Sequence, residues 1–201
     1  MLPAFAEAIR ATTQPCTLLL LLPSLIMAVV TRGRWAPFVA MCIAAVLGGW
    51  LFLANIVGLS DIQLQVSGVL VVIVLATLLV APAVSWLRWA AQSPAPTAAA
   101  GFVTFVATQW WRPCIGSELG SLLTASRDGL VGPLPGMAAY MLGAMVPVLV
   151  VVLIIRSIDP SPRTALVAGR IAGVAGLIVA GALAIGRHDE LVTALTRWTT
   201  S

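Results

Sequence analysis

Five stretches of this chain carry no Asp, Glu, Lys or Arg: residues 11–31, 35–60, 62–87, 89–111 and 129–155. A helix needs about 20 mostly apolar residues to cross a hydrocarbon core of roughly 30 Å, and each stretch is long enough. A sixth, about 165–186, is interrupted only by Arg170. Overall 60% of residues are hydrophobic and 9% charged, against roughly 25% charged in a soluble domain. In lipid every backbone polar group needs an internal partner, so such spans read as helices. The period-2 alternation of a transmembrane barrel strand is absent. The expected fold is therefore all-α, a polytopic membrane protein with six transmembrane helices at about 3–31, 36–58, 65–87, 99–126, 134–156 and 165–187. Residues 1–201 form a single membrane domain, ending in a short amphipathic tail at 188–201 with Leu191, Leu195 and Trp198 on one face. No cleaved leader is expected, because the first apolar run lacks a small-residue cleavage site and ends at Arg32-Gly33-Arg34.

The formal charge of +4 comes entirely from arginine. The arginines are scattered, which makes no nucleic-acid patch, and their value is orientation. Arg32 and Arg34 follow helix 1, Arg88 follows helix 3, and Arg156 and Arg163 follow helix 5. The positive-inside rule puts those loops in the cytoplasm and both termini on the other side. Trp35, Trp86 and Trp89 cluster at the same ends and suit an aromatic belt.

Three spans on each side of the stretch 92–97 make two halves, about 1–90 and 98–187. An odd number of spans per half forces opposite topology, a 3+3 inverted repeat. One motif recurs in both halves: Pro15-Cys16 in helix 1 and Pro113-Cys114 in helix 4. Each pair falls near the middle of its span. Proline inside a helix removes a donor and clashes with the preceding turn, so Pro15 and Pro113 are expected to open the backbone just before each thiol. Pro23 is expected to do so again one to two turns later.

Helix 4 also brings Arg112 and Glu118 within two turns of Cys114, with Gly116 between them. Charges at mid-membrane are costly and mark functional positions. An adjacent cation favours the thiolate, which is the reactive species, and Glu118 is placed to exchange a proton with it. The plainer reading of Arg112 and Glu118 is an ion pair that fixes packing. Gly116-x3-Gly120 and Gly169-x3-Gly173 read as close helix-packing faces. Cys42, with no proline or charge nearby, reads as a core residue, and the lone His188 as interfacial. With one histidine and no Cys-x-x-Cys, no metal site is expected.

The run Trp111-Arg112-Pro113-Cys114-Ile115-Gly116-Ser117-Glu118-Leu119-Gly120 resembles the W-T-P-C-I-G-P-x-L-G signature of helix 4 in CcdA-type proteins, membrane electron conduits related to the central domain of DsbD. Six helices in an inverted repeat and a Pro-Cys in helix 1 resemble them too, over about residues 1–187. Three departures stand out: the S-P-C-x-x-P of helix 1 is here Gln14-Pro15-Cys16 with the next proline only at Pro23, Arg112 replaces Thr, and Ser117 replaces Pro. The resemblance implies a bacterial cytoplasmic-membrane protein that takes reducing equivalents from cytoplasmic thioredoxin and hands them to an extracytoplasmic thioredoxin-like protein, as in cytochrome c biogenesis. It implies that Cys16 and Cys114 make and break one disulfide, and that no cofactor takes part. The alternative is a small transporter for a thiophilic metal or an organic solute.

Overall fold

Proline decides where most of these helices begin. Its fixed φ suits a first turn, and its missing N–H costs nothing there. The computed structural model describes residues 2–12, 14–54, 61–80, 94–109, 117–125, 129, 131–158, 161–187, 190 and 193; within them nine helices occur and no strand. They are α1 (Leu2–Ala11), α2 (Pro15–Val30), α3 (Trp35–Ala54), α4 (Asp61–Val80), α5 (Ala95–Gln109), α6 (Ser117–Ala125), α7 (Leu134–Ala144), α8 (Val146–Ile158) and α9 (Pro162–Ala184). Pro3, Pro15, Pro37, Pro96, Pro135, Pro147 and Pro162 lie in first turns. Pro94 and Pro133 sit immediately before α5 and α7.

Three expectations are modified. Helix α5 starts at Ala95, so the stretch 92–97 is partly helical, its prolines being at positions a helix start tolerates. The fifth expected span turns at Met145. There Pro147 lacks the N–H that would reach the carbonyl of Gly143, and Met145 N–H is shared between the carbonyls of Met141 and Leu142 at 3.1 and 3.2 Å. Pro23 does not open its helix: α2 runs through it. The turn around it is held by packing, since Leu21, Met27 and Ala28 are all buried.

Trp35–Leu53, Leu134–Ile158 and Arg163–Ala182 are long and apolar enough to cross a membrane, and Leu21–Val30 and Gln65–Leu79 are shorter apolar helices. Outward faces are apolar. On α3 the exposed side chains include Trp35, Val39, Ile43, Leu47 and Trp50, and on α9 Val167, Ile171, Val174 and Ile178. Continuous exposed apolar stripes of this kind do not face water in soluble monomers. The interior instead holds small and hydroxylated residues, with Thr17, Ser24, Thr31, Thr104 and Thr108 all buried among Ala, Met and Val.

Close approaches between helices fix their directions. A Cβ at Gly68 would stand 2.8 Å from the Ala184 nitrogen, one at Gly176 would stand 3.0 Å from Leu75, and one at Gly173 would collide with Leu79. Numbers rise along α4 as they fall along α9, so the pair is antiparallel. Gly176 also meets Ile26, and Gly169 meets Val30, which makes α9 antiparallel to α2. Helix α3 meets α5 through Gly101 on Ala40 and Gly48 on Thr108, numbers rising together, so these two are parallel. It meets the α7–α8 span through Gly49 on Met141 and through Arg156 stacked 5.4 Å over Trp35, an antiparallel arrangement. A tight turn reverses the chain between α2 and α3, with left-handed φ of 57° at Arg32 and 62° at Gly33. Helices α2, α4 and α7–α8 therefore run one way, and α3, α5 and α9 the other.

Candidate functional site

The first Pro-Cys pair stands at a break between two helices. The residue before a proline is driven out of the helical region, and Gln14 is extended, with φ −84° and ψ 143°. Helix α1 closes at Ala11, where Thr12 Oγ1 and N–H both donate to the Ile9 carbonyl, at 2.6 and 3.2 Å. Gln14 N–H donates to Ala11 O (2.9 Å), and Thr17 N–H to Gln14 O (3.1 Å). Pro15 and Cys16 are thus the first two residues of α2, as the proline argument requires. Their side chains are outside the described set. The first turn of a helix carries unpaired N–H groups and the positive end of the macrodipole, an environment that favours negative charge.

The second pair is flanked by α5, which is described to Gln109, and α6, which is described from Ser117. Arg112, Pro113, Cys114 and Gly116 lie outside the described residues. Glu118 is the second residue of α6, and its side chain is also outside the described set. His188, Trp86, Trp89, Leu191, Leu195 and Trp198 fall outside as well. Cys42 is half-buried on α3 against the core and unbridged, as a packing residue is. Gly169 and Gly173 pack on α2 and α4, as expected of a close-packing face. Among the described residues no three His, Cys, Asp or Glu come together.

Between α2 and α5 the structure shows a polar seam that the sequence reading missed. Thr17, Ser24 and Thr31 recur at every seventh residue of α2 and its end, close to two helical turns, and all are buried. Ser24 Oγ lies 3.1 Å from Thr104 Oγ1 of α5, a buried hydrogen bond between α2, which begins with the first pair, and α5, which precedes the second in sequence. One turn on, Thr108 Oγ1 donates to the Phe105 carbonyl (2.6 Å). Gln109 Nε2 donates to Thr108 Oγ1 and to the Gly48 carbonyl of α3, both at 3.0 Å. The Gly48 approach makes this possible: with no side chain there, α5 comes close enough for Gln109 to reach main chain. The seam was visible in principle, as hydroxyls seven apart within runs of Leu, but hydroxyls draw less notice than charges.

Comparison of the chain with protein-family models, curated proteins and solved structures found no match.

Proposed function

We propose that this is a six-span membrane protein of two inverted three-helix halves. In it Cys16 and Cys114 carry reducing equivalents from cytoplasmic thioredoxin to an extracytoplasmic thioredoxin-like protein, as CcdA-type conduits do. The alternating helix directions support the topology. Consecutive apolar segments reverse each time, and the third segment, α4, runs antiparallel to the sixth, α9. Two halves related by an in-plane twofold require both features.

The observation that carries the site is the Ser24–Thr104 contact. Helices α2 and α5 are antiparallel, so stepping back along one corresponds to stepping forward along the other. Cys16 is eight residues before Ser24, and Arg112 is eight after Thr104. The equal spacing of eight residues on either side of the contact supports setting Cys16 level with the Arg112–Cys114 segment. A disulfide needs Cα atoms about 4.4–6.8 Å apart, and equal level is its first condition.

The chemistry is thiol–disulfide exchange. A thioredoxin thiolate attacks one sulfur of the Cys16–Cys114 disulfide, forming a mixed disulfide and releasing the other cysteine as a thiolate. The second thioredoxin cysteine resolves it, leaving thioredoxin oxidised and the pair reduced. The reduced pair then attacks the disulfide of the outer partner, and two electrons have crossed. Arg112 steadies the thiolate, and Glu118 takes and returns its proton.

The test is a pair of variants, Cys16→Ser and Cys114→Ser. Each is expected to abolish transfer to the outer partner, and one of them to accumulate a mixed disulfide with thioredoxin on a non-reducing gel. Normal transfer in either variant ends the reading. Thiol-dependent ion uptake with no redox gel shift would put the transporter in its place.

A further inference from the structure

Helix α9 carries an oddity that the thiol chemistry does not use. Its outward stripe reads Arg163, Val167, Arg170, Val174, residues spaced by four, three and four, all exposed. Arg170 is flanked there by Val167, Ile171 and Val174, which are 54, 67 and 53% exposed. An arginine on an apolar face near the end of a span reaches for the interface, where an anionic group is its natural partner. Among the described residues neither Arg163 nor Arg170 has an ion-pair partner. The ion pair on this segment joins Arg187 to Glu190, beyond the opposite end of α9. Asp159 lies outside the described residues.

The level of this stripe follows from its neighbours. Arg156 stacks on Trp35 at 5.4 Å, an arginine–tryptophan pair of the sort that marks a membrane interface. The turn bearing Arg32 and Arg34 sits on the same end, because Gly33 packs on Val152 and Ile155. Gly169 packs on Val30, the last residue of α2, so Arg170 is just inside that interface. Helical side chains lean towards the N-terminus of their helix, and the N-terminus of α9 is at this surface. That lean lets the Arg170 stem follow the apolar stripe and bring its guanidinium towards the level of Arg163.

We infer that Arg163 and Arg170 form a binding site for the phosphate of an anionic phospholipid on the outer face of α9, with its acyl chains along Val167, Ile171 and Val174. The inference rests on the membrane reading above and not on the cysteines. Basic side chains at the cytoplasmic level of a helix surface recognise anionic headgroups in this way.

The experiment compares phosphatidylglycerol, phosphatidylcholine and inorganic phosphate by native mass spectrometry of the detergent-solubilised protein. Wild type is expected to retain phosphatidylglycerol about tenfold or more over phosphatidylcholine, from two arginines at the surface. The double variant Arg163→Gln/Arg170→Gln is expected to lose that preference with its helical circular dichroism intact, and Arg163→Lys/Arg170→Lys to keep most of it. Equal retention of both lipids, an undiminished double variant, or full displacement by inorganic phosphate would each overturn the site. Flotation with phosphatidylcholine vesicles separates the causes. Protein that fails to float overturns the membrane reading together with this site, and protein that floats without anionic preference overturns this site alone.

Discussion

At the scale of single residues, the interior is organised by hydroxyls and glycines more than by bulk. Ser24 and Thr104, both buried, hydrogen-bond each other across two helices. Interhelical hydrogen bonds inside membranes are worth about 0.6 kcal/mol on average. Ser24→Ala is predicted to destabilise by about that much or slightly more, because Thr104 is left unpaired. Ser24→Ala combined with Thr104→Val should recover part of the loss, since it removes both polar groups. Thermal unfolding in a fixed detergent measures both, and a double variant worse than the sum of the singles would contradict the pairing. Gly48 is a harsher position. Any Cβ there runs into Thr108, and α5 cannot retreat without giving up the Gln109 hydrogen bond to the Gly48 carbonyl. Gly48→Val is predicted to cost about 2 kcal/mol or more, in the range of overpacked cores, against near-neutral behaviour for Gly132→Ala, where nothing lies within 4 Å.

At the scale of helices, the feature on which the proposed thiol exchange rests is the α1–α2 break. Extended Gln14 and Pro15 at the first position of α2 end one helix and begin another within three residues. Pro15→Ala restores a backbone donor and frees residue 14 to become helical, which shifts Cys16 out of a first turn. Thiol transfer is predicted to fall by about a hundredfold, the cost of a small misplacement of a reacting group, with folding retained. The rate of reduction of the outer partner checks this, and an unchanged rate would mean that the break is not used.

Much of this level was legible in the sequence. Charge-free runs located the apolar helices, and Pro15 located the break. Pro23 misled because the rule for proline is statistical about helices but silent about packing, and here buried Leu21, Met27 and Ala28 outweigh one lost hydrogen bond. The start of α5 misled for a related reason: Pro94 and Pro96 look like linker but occupy positions where a helix accepts them. The hydroxyls seven apart on α2 could be read from the sequence, but not the pairing of Ser24 with Thr104, since period and composition say which residues are buried but not which two helices meet.

At the scale of the whole molecule, direction is the organising variable. Each apolar segment reverses the last, and the contacts that say so lie on five different helix pairs or turns rather than on one motif. This predicts the outcome of labelling from either side of the membrane. Val131 and Ser161 flank the same span, Leu134–Ile158, so Val131→Cys and Ser161→Cys should react with a membrane-impermeant maleimide from opposite faces, and the orientation expected from the arginines would put Ser161→Cys on the cytoplasmic one. Labelling of both from one side would remove the span.

The antiparallel pairing of α4 with α9 has a consequence for how the chain is made. Helix α4 packs chiefly on α9 and only lightly on α5, and Gly68 has its close neighbours on α9 alone. The third apolar segment leaves the ribosome about a hundred residues before its partner, a wait of roughly 5–20 s at ordinary synthesis rates. Throughout that interval its contact face is covered by lipid or by an insertion factor, never by the finished fold. Assembly therefore cannot close in the order of synthesis, and α9 acts as the latch. A chain stopped after Ser161 should insert its earlier segments yet be cleared quickly by membrane proteases, and co-expression of residues 162–201 as a separate piece should slow that clearance.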